Sequence, residues 1–382
     1  MIVLFSALAT VEYDGTNYYC NEIQASLSRY RHCGRIICLA HLSYIKTPHS
    51  DPINMDEVEF VFIHKINSLK SLIRARNENK ILIEKAVMKS DMCIVHVFSM
   101  HASMVINCAK KYHKPYLNVV VGCPWDSFWN YSLVGKCVAP FAYLSLRKIQ
   151  HDAKYSIYVT NHFLQNRYPT KGNTVACSNV EMITGDENVL KQREERIDRN
   201  SYERIKIGTL AALNVRYKGQ EYVIKALAEL KKEGILHFEY HLVGGGDCSF
   251  LQSIAEKTGV SDMVVIHGAI PHKEVSVFLD NIDIYIQPSK QEGLPRALIE
   301  AMSRGCLCYG SRTAGIPELL QQEYIFPKGN SHAIAGLLSK VTKDDFVQQG
   351  LRNFSEARLY SKDILDKRRN EFLDFFVKNE VK

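Results

Sequence analysis

The sequence predicts an α/β protein built from two doubly wound domains that face a central cleft. Three observations predict it. The chain has 382 residues, more than one ordinary hydrophobic core accommodates. Short apolar runs alternate with helix-length segments, the pattern of parallel sheets covered by helices on both faces. That alternation runs twice, interrupted once by a charged stretch nearly free of aromatic residues.

In the first half, the apolar runs 2–8, 36–41, 58–63, 92–98, 116–122 and 155–160 read as strands, with segments such as 19–31 and 101–113 as helices between them. The opening run, Ile2 to Leu8, is short and has no positively charged residues before it. It reads as a buried first strand rather than a signal peptide. The stretch 181–202 carries Asp186, Glu187, Lys191, Arg193, Glu194, Glu195, Arg196 and Asp198, and reads as a connector. From Ile205 the alternation restarts. Strands are expected at 205–210, 238–243, 263–267 and 282–287, with shorter ones at 306–310 and 323–326. Helices are expected at 220–233, 247–258, 272–280, 296–304 and 332–341. The last segment, 361–378, is amphipathic through Ile364, Leu365, Phe372, Leu373, Phe375 and Phe376. The expected units are therefore 1–202, a first domain with the connector; 203–360, a second domain; and 361–382, a packing helix crossing back to the first domain.

Composition narrows the class. Hydrophobic residues make up 46% and charged residues 23%, an ordinary globular balance that excludes a disordered chain. No apolar run reaches the ~20 residues that span a bilayer. The 11 cysteines include no Cys-x-x-Cys pair, which argues against a disulfide framework or structural zinc and for reduced thiols in the cytoplasm. The net charge of +7 is uneven: residues 1–180 hold 20 Lys+Arg against 12 Asp+Glu, and the remainder 28 against 29. Such a field attracts an anionic partner, whether a phosphate-bearing substrate or an anionic membrane face; the plainer reading is a solvated surface. No nucleic-acid recognition motif accompanies it, so no nucleic-acid partner is expected. Segments 67–76 (Leu69, Lys70, Leu72, Ile73, Arg74, Arg76) and 133–148 (Phe141, Tyr143, Leu144, Leu146, Arg147, Lys148) mix apolar and basic residues. Each suits either a membrane surface or a buried helix face.

The segment richest in chemistry runs from Pro288 to Met302 and follows a strand. Pro288 and Gly293 break regular structure, and Pro295 suits the first turn of a helix. Glu292 then lies in the loop and Glu300 about two turns along the helix. Backbone N–H groups near Gly293, Leu294 and Arg296 point at whatever occupies the helix N-terminus, a ready site for a diphosphate. A carboxylate on either side accepts hydrogen bonds from paired hydroxyls of a sugar. Unsupported by that setting, two glutamates eight residues apart would be surface residues.

Glu292 to Glu300 resembles the paired-glutamate motif of the retaining GT-B glycosyltransferases of glycosyltransferase family 4. The resemblance extends over about 140 residues, 205–341. It includes Lys218-Gly219-Gln220-Glu221, His241-Leu242-Val243-Gly244-Gly245-Gly246-Asp247, Val264-Val265-Ile266-His267-Gly268-Ala269-Ile270-Pro271 and Gly315-Ile316-Pro317-Glu318-Leu319. Residues 159–169 resemble, more faintly, the members that build bacterial capsular and lipopolysaccharide chains.

The resemblance implies two Rossmann-like domains and a nucleotide-diphosphate-sugar donor. Glu300 would hold the ribose, and Glu292 would contact hydroxyls of the transferred sugar. Lys218, with Arg216, would pair with the diphosphate, whose charge grows as the glycosidic bond breaks. Gly268 and Ile270 would lie by the nucleobase, and Gly244 to Gly246 would make a tight turn with or without ligand contact. Two departures stand out. Gly208 is followed by Thr209 where relatives often have Arg. The stretch Val120 to Asp126 lacks the His that many relatives carry, which leaves Asp126 as an assisting residue or the leaving phosphate as the base. His96 and His101 are the nearest imidazoles. The loop Asp14-Gly15-Thr16-Asn17 would face the cleft, so Gly15, Thr16 and His101 are the expected acceptor-side residues. No Asp-x-Asp signature is present, so neither metal nor other cofactor is expected. The implied function is sugar transfer to a glycan or lipid-linked acceptor in cell-surface polysaccharide synthesis, in the cytoplasm or at the inner face of its membrane. A nucleotide-sugar epimerase and a non-catalytic nucleotide-sugar-binding subunit are the alternatives.

Overall fold

The computed structural model describes residues 1–45, 51–65, 69–182, 187–199 and 204–381. The first half comprises β1 (Ile2–Tyr13), β2 (Tyr18–Tyr19), α1 (Asn21–Tyr30), β3 (Arg35–Tyr44), β4 (Val58–Phe62), α2 (Leu69–Lys89), β5 (Met92–Val97), α3 (Met100–Lys111), β6 (Tyr116–Val120), α4 (Pro124–Trp129), α5 (Leu133–His151), β7 (Tyr155–Tyr158), α6 (Phe163–Arg167) and β8 (Asn173–Ala176). Its strands form one sheet in the order β4-β3-β1-β5-β6-β7-β8, with β2 added to β1. Every pairing except β1 with β2 is parallel. Strands buried on both faces read as continuous apolar runs; Val3, Leu4 and Phe5 of β1 and Cys38, Leu39 and Ala40 of β3 are all fully buried.

The second half comprises α7 (Asn188–Arg199), β9 (Ile205–Leu210), α8 (Gln220–Lys232), β10 (Phe238–Val243), α9 (Ser249–Thr258), β11 (Val264–Gly268), α10 (Val275–Asp280), β12 (Ile284–Gln287), α11 (Arg296–Ser303), β13 (Leu307–Ser311), β14 (Ile325–Phe326), α12 (Ser331–Leu338), α13 (Lys343–Arg358) and α14 (Lys362–Glu380). These strands form a parallel sheet ordered β11-β10-β9-β12-β13-β14. The order reverses between β9 and β12, and ligands of doubly wound sheets bind outside the carboxyl ends of strands at that reversal.

Three features depart from the sequence reading. The stretch taken as a connector contains α7, because Val189, Arg193 and Ile197 recur every fourth residue and all face inward. Arg193 donates to the carbonyls of Ile282 and Leu279 at 2.7 and 2.8 Å, so α7 packs on the second domain. Residues 183–186 and 200–203 of that stretch lie outside the described residues, as do the side chains of 69–74 in the first basic-apolar segment. The second departure is β1, which runs on to Tyr13. Its pairing with β5 ends at Ser6, and beyond a register shift it continues beside β3, with the short β2 on its other edge. The alternation Val11-Glu12-Tyr13 sustains it as a strand. The third departure is a pair of elements that sequence reading missed, β8 and the helix α13.

The segment α14 leaves the second domain and lies on the first. Arg369 Nη2 donates to Ser178 O at 2.9 Å, and the Phe376 ring sits 5.0 Å from that of Tyr155. Leu365, Leu373 and Phe376 join an apolar cluster that extends through Leu294, Leu298 and Ile316 into the second domain.

Candidate active site

Two loops meet at the strand-order reversal. After β9 the chain makes a short 3-10 turn, Arg216–Lys218, and after β12 it makes the Pro288–Pro295 loop. Gly219 adopts the left-handed conformation between them, and a side chain there would meet the Pro288 carbonyl at 2.2 Å. Lys290 N donates to Tyr217 O at 2.7 Å, stitching the loops together. The Lys218 ammonium therefore reaches Glu292 Oε1 at 2.7 Å, with both side chains largely buried. Gln287 Nε2, from the end of β12, donates to the same oxygen at 3.1 Å. Gln287 is itself oriented by the hydroxyl of the fully buried Tyr285, which donates to its Oε1 at 2.9 Å. Glu292 is thus fixed through Oε1, and no partner occupies Oε2 among the described residues.

The helix α11 starts at Arg296, with Pro295 at its cap rather than inside the first turn. No side chain caps it, so its first N–H groups are free to meet an anion. Glu300 is consequently its fifth residue, about one and a half turns along. Burial pushes the Glu300 carboxyl above its ordinary range, opposed by His272 and Arg296. The nearest His272 nitrogen is 4.0 Å away. Leu294 is buried and Gly293 half-buried; a side chain on Gly293 would meet the Val121 carbonyl of the first domain at 2.2 Å.

The wall opposite Glu292 is therefore α4 and the end of β6. Gln291 Nε2 donates to Ser127 Oγ at 2.8 Å, and Asn130 Nδ2 donates to Lys290 O at 3.2 Å. Asp126 stands on the same helix, but its electrostatic partners are Cys123 and Arg167, on its own side of the cleft.

The other expected residues make contacts of their own. The Arg216 guanidinium stacks 4.1 Å over the Phe250 ring. Thr209 is fully buried and donates to Ile286 O at 2.7 Å; it is part of the sheet. Gly244 packs against the Ala211 carbonyl, a close approach that serves the turn itself. Gly15 and Thr16 form the exposed tip of the β1–β2 hairpin, with Thr16 N bonded to Asp14 Oδ1, because β1 extends past the end of β5. His101 is buried and receives a hydrogen bond at Nε2 from Asn79, 3.1 Å away. Burial and His41 push its imidazole down to about 4. His96 is half-buried on β5, and desolvation holds its imidazole down to about 3. Gly268 has a positive φ of 74°, and Ile270 lines a cavity of ≈ 480 Å³ with His241, His267 and Phe278. Sequence reading missed Gln287, Ser127, Asn130 and Gln291. For Gln287 a signal existed, since Tyr285 and Gln287 share one face of a strand ending at the loop.

Comparison with known proteins agrees with this architecture. The family described as "Glycosyl transferases group 1" matches residues 191–358. Protein CapJ of Staphylococcus aureus is 30% identical over 315 residues, covering 80% of this chain and 78% of CapJ. The chain belongs to the group 1 glycosyl transferases. The amylovoran biosynthesis glycosyltransferase AmsK of Erwinia amylovora is 33% identical to this glycosyltransferase over 138 residues, 34% of each chain. The structure of Anabaena HepE with UDP and glucose superposes with a TM-score of 0.65 at 15% identity, covering 97% of this chain and 99% of HepE. The fold is accordingly GT-B, and the relatives favour transfer over epimerisation. No helix among the described residues is long and apolar enough to cross a membrane.

Proposed function

We propose that this glycosyltransferase is a retaining enzyme that moves a sugar from a nucleoside-diphosphate sugar to a glycan or lipid-linked glycan, building a cell-surface polysaccharide without a metal. The observation that carries the reading is the Lys218–Glu292–Gln287 group beside the uncapped start of α11. The donor diphosphate lies across that helix end, where free N–H groups and Lys218 neutralise it. Glu292 Oε2 accepts from hydroxyls of the sugar, and Glu300 accepts from those of the ribose. As the anomeric C–O bond breaks, its electron pair passes to the phosphate. The acceptor oxygen bonds to the same carbon from the same face, and its proton goes to the departing phosphate oxygen. No first-domain base is needed, which suits the burial of His101 and the lowered imidazoles of His96 and His101.

The assignment to AmsK of amylovoran biosynthesis supports a polysaccharide product, and the UDP held by HepE supports a nucleotide donor. All 11 cysteines are free, which suits the cytoplasm, where nucleotide sugars would meet an acceptor at the inner membrane face. The test is Glu292→Ala with transfer assayed in excess chelator. The variant is expected to retain the wild-type melting curve and lose about 10²–10³-fold in rate, the range for removing one preorganised electrostatic contact. Wild-type turnover in the variant, or loss of wild-type activity on chelation, contradicts the reading.

A further inference from the structure

We propose that Tyr285 and Gln287 are positioning residues that keep Glu292 in its working orientation when Lys218 turns to the donor diphosphate. The groups form a chain of hydrogen bonds that runs in one direction. Leu210 N, at the end of β9, donates to the Tyr285 hydroxyl at 3.4 Å. That hydroxyl donates to Gln287 Oε1 at 2.9 Å, and Gln287 Nε2 donates to Glu292 Oε1 at 3.1 Å. Gln287 Nε2 also donates to Ser289 Oγ at 2.8 Å. Both ends of the chain have a fixed sense, because a backbone N–H only donates and a carboxylate only accepts. The amide therefore turns its nitrogen to Glu292, and the Tyr285 proton keeps it there. Without that proton the amide is free to rotate and set its oxygen against the carboxylate.

Burial gives the chain its force. Tyr285 and Ser289 are fully buried and Gln287 is 2% exposed, so water does not replace a lost partner. Lys218 is the other group on Glu292 Oε1, and a donor diphosphate offers it a second anion. An ammonium drawn toward that anion holds the carboxylate less tightly. Gln287 is uncharged and anchored by Tyr285 and Ser289, so the arrival of the donor leaves its hold intact. The inference rests on the proposed function for what Glu292 and Lys218 touch, and not for the chain itself. Tyr240 supplies the contrast. It is equally buried, and its hydroxyl donates to Thr209 Oγ1 at 2.8 Å. Thr209 in turn donates to Ile286 O, so that chain ends on the sheet backbone and not on Glu292.

The test is kinetic and structural. Tyr285→Phe, Gln287→Leu, their double variant and Tyr240→Phe are assayed for release of nucleoside diphosphate from UDP-glucose, GDP-mannose and ADP-glucose. Tyr285→Phe and Gln287→Leu are each expected to lower kcat by about 10²-fold, the loss that a misplacement of ~1 Å brings at a reacting site, with KM for the donor little changed. Tyr285 acts only through Gln287, so the double variant is expected to be no slower than Gln287→Leu. Tyr240→Phe is expected to lower the melting temperature and keep the wild-type kcat. Crystals without donor complete the test: Glu292 is expected to stay in place in Lys218→Met and to leave it in Lys218→Met with Gln287→Leu. The proposal is overturned if Tyr285→Phe keeps the wild-type kcat, if Tyr240→Phe slows turnover as much, or if the two losses multiply in the double variant. It is also overturned if Glu292 leaves its place in Lys218→Met alone, or stays in both crystals. A wild type that turns over none of the three donors counts against the proposed function, and the crystals then decide the positioning role by themselves.

Discussion

Glu292 and Glu300 do different work because their surroundings differ. Glu292 is pinned through one oxygen by Lys218 and Gln287, which leaves the other oriented for a ligand. Glu300 has no such partner, and burial raises its carboxyl above the ordinary range. A folded-state value above the unfolded one means that the ionised form is penalised by folding. The penalty is absent below the unfolded value and appears as pH rises through the folded one. Glu300→Gln is therefore expected to raise the melting temperature of the donor-free protein at pH 8, with a smaller gain near pH 4. The same variant should lose the stabilisation that a donor confers. A scan of melting temperature against pH decides this; an unchanged or lowered value at pH 8 contradicts it. The sequence disclosed the two carboxylates through their loop and helix setting. The bond from Gln287 depends on how β12 delivers its last side chain, and the stacking of Arg216 on Phe250 joins residues 34 apart, which local spacing does not encode.

At the level of elements, the central strands were legible almost to the residue, with β9 and β10 running over 205–210 and 238–243. Parallel strands covered on both faces are rich in buried apolar residues, so their extent shows in the sequence. Elements with mixed faces hid: α7 reads as a charged linker because its inward residues include Arg193, bonded to carbonyls. The cap of α6 was equally hidden. Glu318 in the second domain accepts the N–H groups of Asn161, His162 and Phe163 at 2.6, 3.1 and 2.6 Å. A carboxylate at a helix N-terminus meets both orphan donors and the positive end of the dipole. This contact ties α6 to the other domain. Glu318→Ala is expected to cost about 1–2 kcal/mol, the range for losing an N-cap, as a lower urea midpoint. Glu318→Gln, which keeps one acceptor oxygen, should lose less. No change in midpoint for the alanine variant would mean that the contact adds nothing to domain docking.

At the scale of the whole molecule, both sheets reverse strand order at their first strand, β1 in one and β9 in the other. Doubly wound topology puts ligand loops at such reversals. In the second domain these loops carry Lys218 and Glu292, and α4 faces them from the first. The two domains share apolar contacts through Leu294 and Ile316, and α14 returns to the first domain. The architecture was readable from the doubled alternation, but the contact partners across the cleft were not, since 160 residues separate Asn130 from Lys290. The central claim is that a nucleoside-diphosphate sugar is held by Lys218, Glu300 and the start of α11. The most direct measurement is the melting temperature of the wild type, Lys218→Met and Glu300→Ala against uridine, guanosine and adenosine diphosphate sugars. A ligand that binds only the folded state raises its melting temperature by mass action. One donor is expected to stabilise the wild type, by about 2.7 kcal/mol at a hundredfold excess over its Kd, and neither variant. If no donor shifts the wild type, or the same donor shifts both variants equally, the account is contradicted.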